Sequence, residues 1–511
     1  MTDIATDYIQ ESEDLLRFYA GRPGALFEQP AARMAWDPTL VERLRAYQGE
    51  VGSNANFQGD EPVIVTGQQP GLLSGPLYTI YKAVTTVKLA ESLTEKHGTR
   101  YVPVFWVGSE DHDFEEASIT HVLSKLHEPV TLRYQPGADV AGLPMYRVPL
   151  EPSLKHLIDR AADAAAGSEH RDEVQAFLHE SLDVSSSLAD WSVRILARLF
   201  RNTPLVLFTP ELPVARSLAI PVMETAIANP LEDTRILNDT GARLGAMGYE
   251  VQVVKDSNSC NFFLEVDGKR RKVAYEDGHF TVPEANQEFS ESELLGVLRS
   301  EPERFSPNVT LRCIVQQQLF PAAAYVAGPG EIAYWAQLKP VFKHFGKQMP
   351  VVYPRARAVI TDLKLNKLLR KHGLTIDDLY QDSDALLERS LAAGASGAVV
   401  QRFRSHRTEI EGALERLERD LNMGDMTGQL RERIGLELDR YERGLLRADE
   451  SALQATTQQL NRLCNSLAPG RKPQERFYTV FSFLFRQGWG LIDRLMNDLD
   501  IERFSMNEVE L

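Results

Sequence analysis

The chain has 511 residues, of which 43% are hydrophobic and 25% charged, and it carries a formal net charge of -16. That length exceeds the roughly 250–300 residues at which a single core stops growing, so more than one domain is expected. The acidic balance argues against nucleic acid or an anionic membrane surface as partner, and no apolar run approaches the ~20 residues of a spanning helix.

The opening MTDIATDYIQESEDLL is acidic and has no apolar core behind a basic region, so neither a signal nor a transit peptide is expected. Cys260, Cys313 and Cys464 are too few and too scattered for a disulfide framework or a zinc site. A reduced, cytoplasmic protein follows from this pattern.

The first sixty residues read as helices with a polar link at Gly52-Ser53-Asn54-Ala55-Asn56. Pro62-Val63-Ile64-Val65 then forms a short apolar run of the kind buried on both faces of a parallel sheet. Beyond Gly75-Pro76, Leu77, Ile80, Tyr81, Val84, Val87 and Leu89 recur at roughly helical spacing, with Pro76 suited to the first helical position. Between strand and helix lie Gly67, Gln68, Gln69, Pro70, Gly71 and Gly75. Such a turn lets backbone approach a ligand at a helix N-terminus, where free N–H groups favour a phosphate or carboxylate. Its spacing matches neither dinucleotide nor phosphate-loop fingerprints. A purely structural turn is the alternative, although adjacent glutamine amides need partners.

A second buried strand is expected at Tyr101 to Val107, and strand, helix, strand in this order predicts a parallel crossover. After it comes Gly108-Ser109-Glu110-Asp111-His112-Asp113-Phe114-Glu115-Glu116. Carboxylates around one histidine can hold an amine or a magnesium ion, or raise the pKa of His112 into the range of a general acid or base. The bland reading is an acidic helix start favoured by the helix dipole.

Further strands are expected at Pro204 to Phe208, around Ala323 to Ala327, and at Pro350 to Tyr353. Two alternating segments, roughly Ile119 to Pro149 and Asn261 to Pro283 with an Asp267-Gly268 turn, read as hairpin insertions. Gly328-Pro329-Gly330-Glu331 repeats the pattern of a strand ending in a Gly-Pro turn, with Glu331 either capping its helix or facing the cleft shared with the first turn. The fold class expected is therefore α/β, a Rossmann-like parallel sheet with connecting insertions.

From about Arg402 the pattern becomes coiled. Ile410, Leu414, Leu417 and Leu421 are followed by an interruption at Asn422-Met423-Gly424-Asp425, and Leu453, Thr456, Leu460, Leu463 and Leu467 resume the repeat. A helical hairpin is predicted. A continuous second arm from Gln429 to Ser466 would run about 57 Å at 1.5 Å per residue. From Gln401 to Ala468 there are 11 arginines, no lysine and 12 acidic residues, a mix that fits a solvated face or a dimer-forming coiled coil. Lys472-Pro473-Gln474-Glu475-Arg476 should begin the last helix, with Phe477, Phe481, Leu484, Phe485 and Trp489 as its core stripe. The domain plan is 1–375 for the sheet core, with insertions near 119–150 and 255–300, then 376–470 for the coiled segment and 471–511 for a helix returning to the core.

Taken together, TGQQPGLLSGPLYTIYK, FWVGSEDHDFEE, AAYVAGPGEIAYWAQLKPVFKHFGKQMPVVYPR and PQERFY resemble, in order and over nearly the whole chain, the bacillithiol biosynthesis cysteine-adding enzymes, the BshC cysteine ligases. The resemblance implies a cytoplasmic homodimer, joined through its coiled coil, that adds L-cysteine to glucosaminyl malate in the last step of bacillithiol formation. It implies adenine-nucleotide (ATP) use, with magnesium as an option and no zinc. The motif residues then become expected site residues. His112, Asp111 and Asp113 would act as catalytic groups, and Gln474 and Arg476 would face nucleotide. Gly67, Gln68, Gln69, Gly75, Tyr78, Lys82, Ser109, Glu110, Glu116, Gly328 and Glu331 would face substrate. HIGH- and KMSKS-type sequences, which serve adenylation in other cysteine-activating enzymes, are missing, as is a Cys-Cys-His zinc set. Rival readings are a non-catalytic nucleotide-binding scaffold whose coiled coil recruits partners, and a nucleotidyltransferase-like enzyme.

Overall fold

The computed structural model describes residues 3–393, 397–421, 424–447 and 450–511. Its contacts divide the chain into two compact units: Met1–Val122 with Val130–Ala358 and Tyr478–Asn507, and Leu123–Pro129 with Val359–Phe477 and Glu508–Leu511. Among the described residues no helix is long and apolar enough to cross a membrane.

The first unit is built on five parallel strands: β1 (Val63–Gln68), β2 (Val102–Val107), β3 (Val206–Phe208), β4 (Ala322–Ala327) and β5 (Val351–Pro354). Their order is β5-β4-β1-β2-β3, so the strand order reverses between β1 and β4, the arrangement of a Rossmann-type doubly wound sheet. Every residue of β2 and β3 is buried, which is why these strands read as continuous apolar runs. The expected strands all form.

Helix α1 (Leu77–His97) returns the chain from β1 to β2 and ends on Gly98, whose φ of 66° closes the helix in the left-handed conformation. Pro76 is one place earlier than its pattern suggested. It caps α1 with an extended ψ of 156°. The last apolar stripe is likewise displaced: Gln474–Arg476 is a single 3-10 turn, the helix runs Phe481–Gln487, and Gly488 (φ 65°) breaks it before a further helix at Gly490–Asp498.

The later insertion is a five-stranded antiparallel sheet in the order Phe305–Pro307, Ser259–Val266, Lys269–Glu276, His279–Val282, Gln287–Phe289. Asp267 (φ 52°) and Gly268 (φ 74°) form its expected tight turn. The earlier hairpin is shorter than its alternating pattern. Only Ile119–Leu123 and Pro129–Arg133 form strands, and Pro136-Gly137 then stops the ladder because proline has no N–H to donate.

In the second unit, helices Gly397–Leu421 and Gly424–Arg447 form the hairpin. Arg404 pairs with Glu442 at 2.7 Å, Arg407 with Asp439 at 2.5 Å and Arg431 with Glu415 at 2.8 Å. Partner numbers fall on one helix as they rise on the other, which is antiparallel packing. Asn422 and Met423, named as the interruption, lie outside the described residues. Of the long second arm the structure describes Gly424–Arg447 and Glu450–Leu467, and Ala448 and Asp449 lie outside the described residues. Contacts begin this unit at Val359, ahead of the patterned boundary at 376, because buried Gln474 holds both backbone groups of Ile360.

Candidate active site

β1 and β4 end side by side where the strand order reverses, the position at which doubly wound sheets hold their ligands. Lys82, on the second turn of α1, crosses this point. Its Nζ donates to the Gly67 carbonyl at 2.8 Å and the Gln68 Oε1 at 2.9 Å, and meets Glu331 Oε2 at 2.5 Å. Glu331 also accepts from the Gly328 N–H at 2.8 Å and from the Tyr325 hydroxyl at 2.7 Å. Burial alone would raise the Glu331 pKa, but the Lys82 ammonium and these donors outweigh it and hold the carboxyl below its ordinary range. Glu331 is thus both the helix cap and a partner at this position. Tyr78 lies within 3.4 Å of the Gln68 amide, and the Arg355 guanidinium stands 5.6 Å from its ring centroid.

The Gly67–Gly75 turn does not offer the open anion cradle that its composition suggested. Leu72, Leu73 and Ser74 are buried. The Leu77 N–H, first of α1, is already taken by the Tyr478 carbonyl at 2.8 Å, and the Leu73 carbonyl accepts from Thr479 Oγ1 at 2.7 Å. Gly75, at φ 70° and ψ -161°, serves a backbone conformation that side chains do not adopt. Gly67 serves close packing, since a Cβ there would stand 2.9 Å from the Trp106 carbonyl oxygen. Gln68 and Gln69 are the partly exposed members.

The segment after β2 supplies the neighbouring wall, because Gln68 pairs with Val107 and the Gly108 N–H donates to the Gln68 carbonyl. Its residues divide by direction. Ser109 turns inward and donates to Glu211, and Glu110 forms a buried ion pair with Arg216. Asp111 and His112 remain partly exposed, while Asp113 caps the short helix Phe114–Ala117 through the Glu116 N–H. Glu116 lies beside the Gln69 amide; burial first, then Asp113 and Asp111, raise its pKa.

His112 departs from expectation. Burial and then the Arg270 guanidinium lower its pKa, and the surrounding carboxylates do not reverse this. Arg270 comes from the antiparallel insertion, lies 3.9 Å from the Phe263 ring centroid, and approaches His112 Nδ1 at 3.2 Å. Because arginine can only donate, Nδ1 must accept and the ring proton belongs on Nε2. His112 is therefore placed as a neutral N–H donor.

Gln474 and Arg476 lie in the second unit. Gln474 is fully engaged: its Nε2 donates to the Ile360 and Ser466 carbonyls and its Oε1 accepts from the Ile360 N–H, each at 2.8 Å. These bonds give Gln474 a structural role. Arg476 is exposed. All three cysteines are free thiols, and burial pushes Cys313 up to about 11 and Cys260 up to about 12. Among the described residues no three His, Cys, Asp or Glu side chains converge as a metal site.

Sequence reading missed Glu211, Arg216, Arg270 and Arg312. Arg312 carried a usable signal, as the one cation inside the helix Val309–Leu319. Arg216 and Arg270 sat in stretches whose partners only the fold brings near.

Strand order defines a Rossmann-type α/β protein with an appended helical-hairpin unit. The model of the bacillithiol biosynthesis BshC N-terminal Rossmann-like domain matches residues 1–356, and that of the BshC C-terminal coiled-coil domain matches residues 358–511. A Salinibacter ruber protein named "Putative cysteine ligase BshC" is 32% identical over 97% of this chain and 94% of its own length. Proteins of the same name from Symbiobacterium thermophilum (32% identical; 86% of this chain, 82% of its own) and Bacillus cereus (30%; 87% and 84%) are similar. The chain belongs to the BshC family of bacillithiol biosynthesis.

Proposed function

We propose that this protein is a cysteine ligase that joins the carboxyl group of cysteine to the amine of glucosaminyl malate, the last step of bacillithiol formation, at the ends of β1 and β4. The observation that carries the proposal is full-length similarity to relatives named as cysteine ligases, extending through both units of the chain.

Amide formation needs an activated carboxyl, because a carboxylate is a poor electrophile, and a free amine, because an ammonium has no lone pair. ATP is the proposed activating co-substrate. The buried Gly67–Gly75 turn and the engaged Gln474 do not fit a nucleotide, so no residue is assigned to it. His112, held by Arg270 as a neutral donor, is suited to bond the acyl oxygen through Nε2–H. Asp111 stands beside it, its Oδ1 accepting the His112 backbone N–H at 2.8 Å, and is proposed to accept the proton released by the amine.

A homodimer is also proposed. Leu417, Leu430, Leu436 and Tyr441 on the two hairpin helices are 41–62% exposed, an apolar surface that a second copy would cover.

Incubation of the purified chain with cysteine, glucosaminyl malate and ATP, followed by thiol labelling and mass spectrometry, tests the activity. The expected product has the summed mass of the two substrates less water. Folded protein that makes no such product, with or without ATP, overturns the reading.

A further inference from the structure

We infer that Arg312 is the seat of a substrate carboxylate at the switch point of the sheet. Arg312 projects from the helix Val309–Leu319, which leads into β4, and the groups it touches are neutral. Nη1 donates to Gln316 Oε1 at 3.3 Å, and Nη2 approaches the Tyr325 hydroxyl at 3.3 Å, the Tyr334 hydroxyl at 3.2 Å and Cys313 Sγ at 3.5 Å. Among the described residues no carboxylate lies within 4.0 Å of it, and Nε has no partner. The nearby carboxylate, Glu331, is already matched by Lys82 at 2.5 Å. Lys82 is thus in contact with the nearby carboxylate, and Arg312 has no carboxylate in contact of its own. Even a partly buried cation with no counter-ion in contact gives up solvation, and a ligand that supplies the missing charge would restore it.

The arrangement sits at the carboxyl end of β4 through Tyr325 and Glu331. Tyr325 beneath the guanidinium is buried, whereas Arg312, Tyr334 and Glu331 each keep partial exposure. Tyr325 links the two ion systems, accepting from Arg312 and donating to Glu331. With Nη2 directed at the two phenols and one Nη1–H at Gln316, Nε–H and one Nη1–H remain for a ligand.

A carboxylate suits these donors better than a phosphate. Phosphate sites at strand-to-helix turns use backbone N–H groups, and here the Gly328 N–H is held by Glu331 while Pro329 has none. What remains is a guanidinium with two free N–H groups flanked by hydroxyls, a donor set able to hold one carboxylate. The choice of which carboxylate rests on the function proposed above. Of its two substrates, glucosaminyl malate brings the dicarboxylic group whose carboxylates do not react, and Arg312 would hold one of them.

Calorimetric titration of the full chain with L-malate tests the seat without any turnover. Wild type is expected to bind L-malate, Arg312→Gln to bind it at least tenfold more weakly, and Tyr334→Phe, which removes one hydroxyl against the guanidinium, about threefold more weakly. Inorganic phosphate should bind no better to wild type than to Arg312→Gln. In turnover, Arg312→Gln should raise the KM for glucosaminyl malate at least tenfold and leave the KM for cysteine within twofold. No binding of malate by wild type, equal binding by folded Arg312→Gln, or loss confined to phosphate each overturns the inference. Should Arg312→Gln fail to fold, unchanged malate binding by Tyr334→Phe overturns it. Malate binding that depends on Arg312 in a protein that makes no ligation product would instead reject the proposed function and leave the carboxylate seat standing.

Discussion

Lys82 and Glu331 meet at 2.5 Å and tie the helix after β1 to the helix after β4, across the reversal in strand order. Lys82 is 4% exposed and Glu331 20%, so either partner alone would be a poorly solvated charge. Lys82→Met and Glu331→Gln are each expected to cost about 3–5 kcal/mol of stability, and the double variant less than the sum, because it removes both charges together. Urea unfolding of the three variants checks this. Additive losses would show that the two residues do not act as a pair.

His112 gives the pH dependence a sign. Burial and Arg270 place its folded pKa below its ordinary value of 6.5, so in the window below 6.5 the unfolded chain binds more protons. Its contribution to stability is then complete above pH 6.5 and is lost as pH falls toward the folded pKa. The imidazole resonance followed by NMR should titrate below 6.5 and move upward in Arg270→Gln. A wild-type midpoint at or above 6.5 contradicts the arrangement.

Gln474→Ala should destabilise the second unit by about 2–3 kcal/mol, since it strands the buried backbone groups of Ile360. Affinity for ATP should be unchanged. A variant of full stability with weakened nucleotide binding would restore the role that the late motif suggested.

Gly75→Ala places a Cβ on a residue at φ 70° and ψ -161°. About 1–3 kcal/mol of strain is expected, read as a lowered midpoint of thermal unfolding. Gly98→Ala, at a helix end with φ 66° and open space around it, should cost less.

The exposed hairpin side chains predict that Leu436→Glu combined with Tyr441→Glu shifts the protein from dimer to monomer in light scattering at micromolar concentration. Unchanged mass for that double variant would place any dimer contact elsewhere.

The sheet was legible because its strands are buried on both faces. Val63 to Val65, Val102 to Val107 and Val351 to Tyr353 are unbroken apolar runs, and the helical period between the first two required a parallel crossover. The Asp267-Gly268 turn was legible for the same local reason: its φ values are those its residues favour. Where a non-local partner decided the outcome, local pattern misled. Composition gave the Gly67–Gly75 turn the look of an anion cradle, but Tyr478, about 400 positions later, occupies its leading N–H group. The acids around His112 suggested a raised pKa, but Arg270, 158 residues away, reverses it.

By itself the sequence determined a Rossmann-type sheet, a helical hairpin, and the motifs that mark the BshC family, because burial periodicity and turn chemistry are local properties written residue by residue. Only the tertiary structure decided which of the charged residues are spent on one another. Lys82 with Glu331 and Glu110 with Arg216 are matched, and Arg312 bonds to phenols and an amide instead of a carboxylate. Charge pairing depends on distances of a few ångströms between residues far apart in the chain, and those distances exist only once the strands have taken their order.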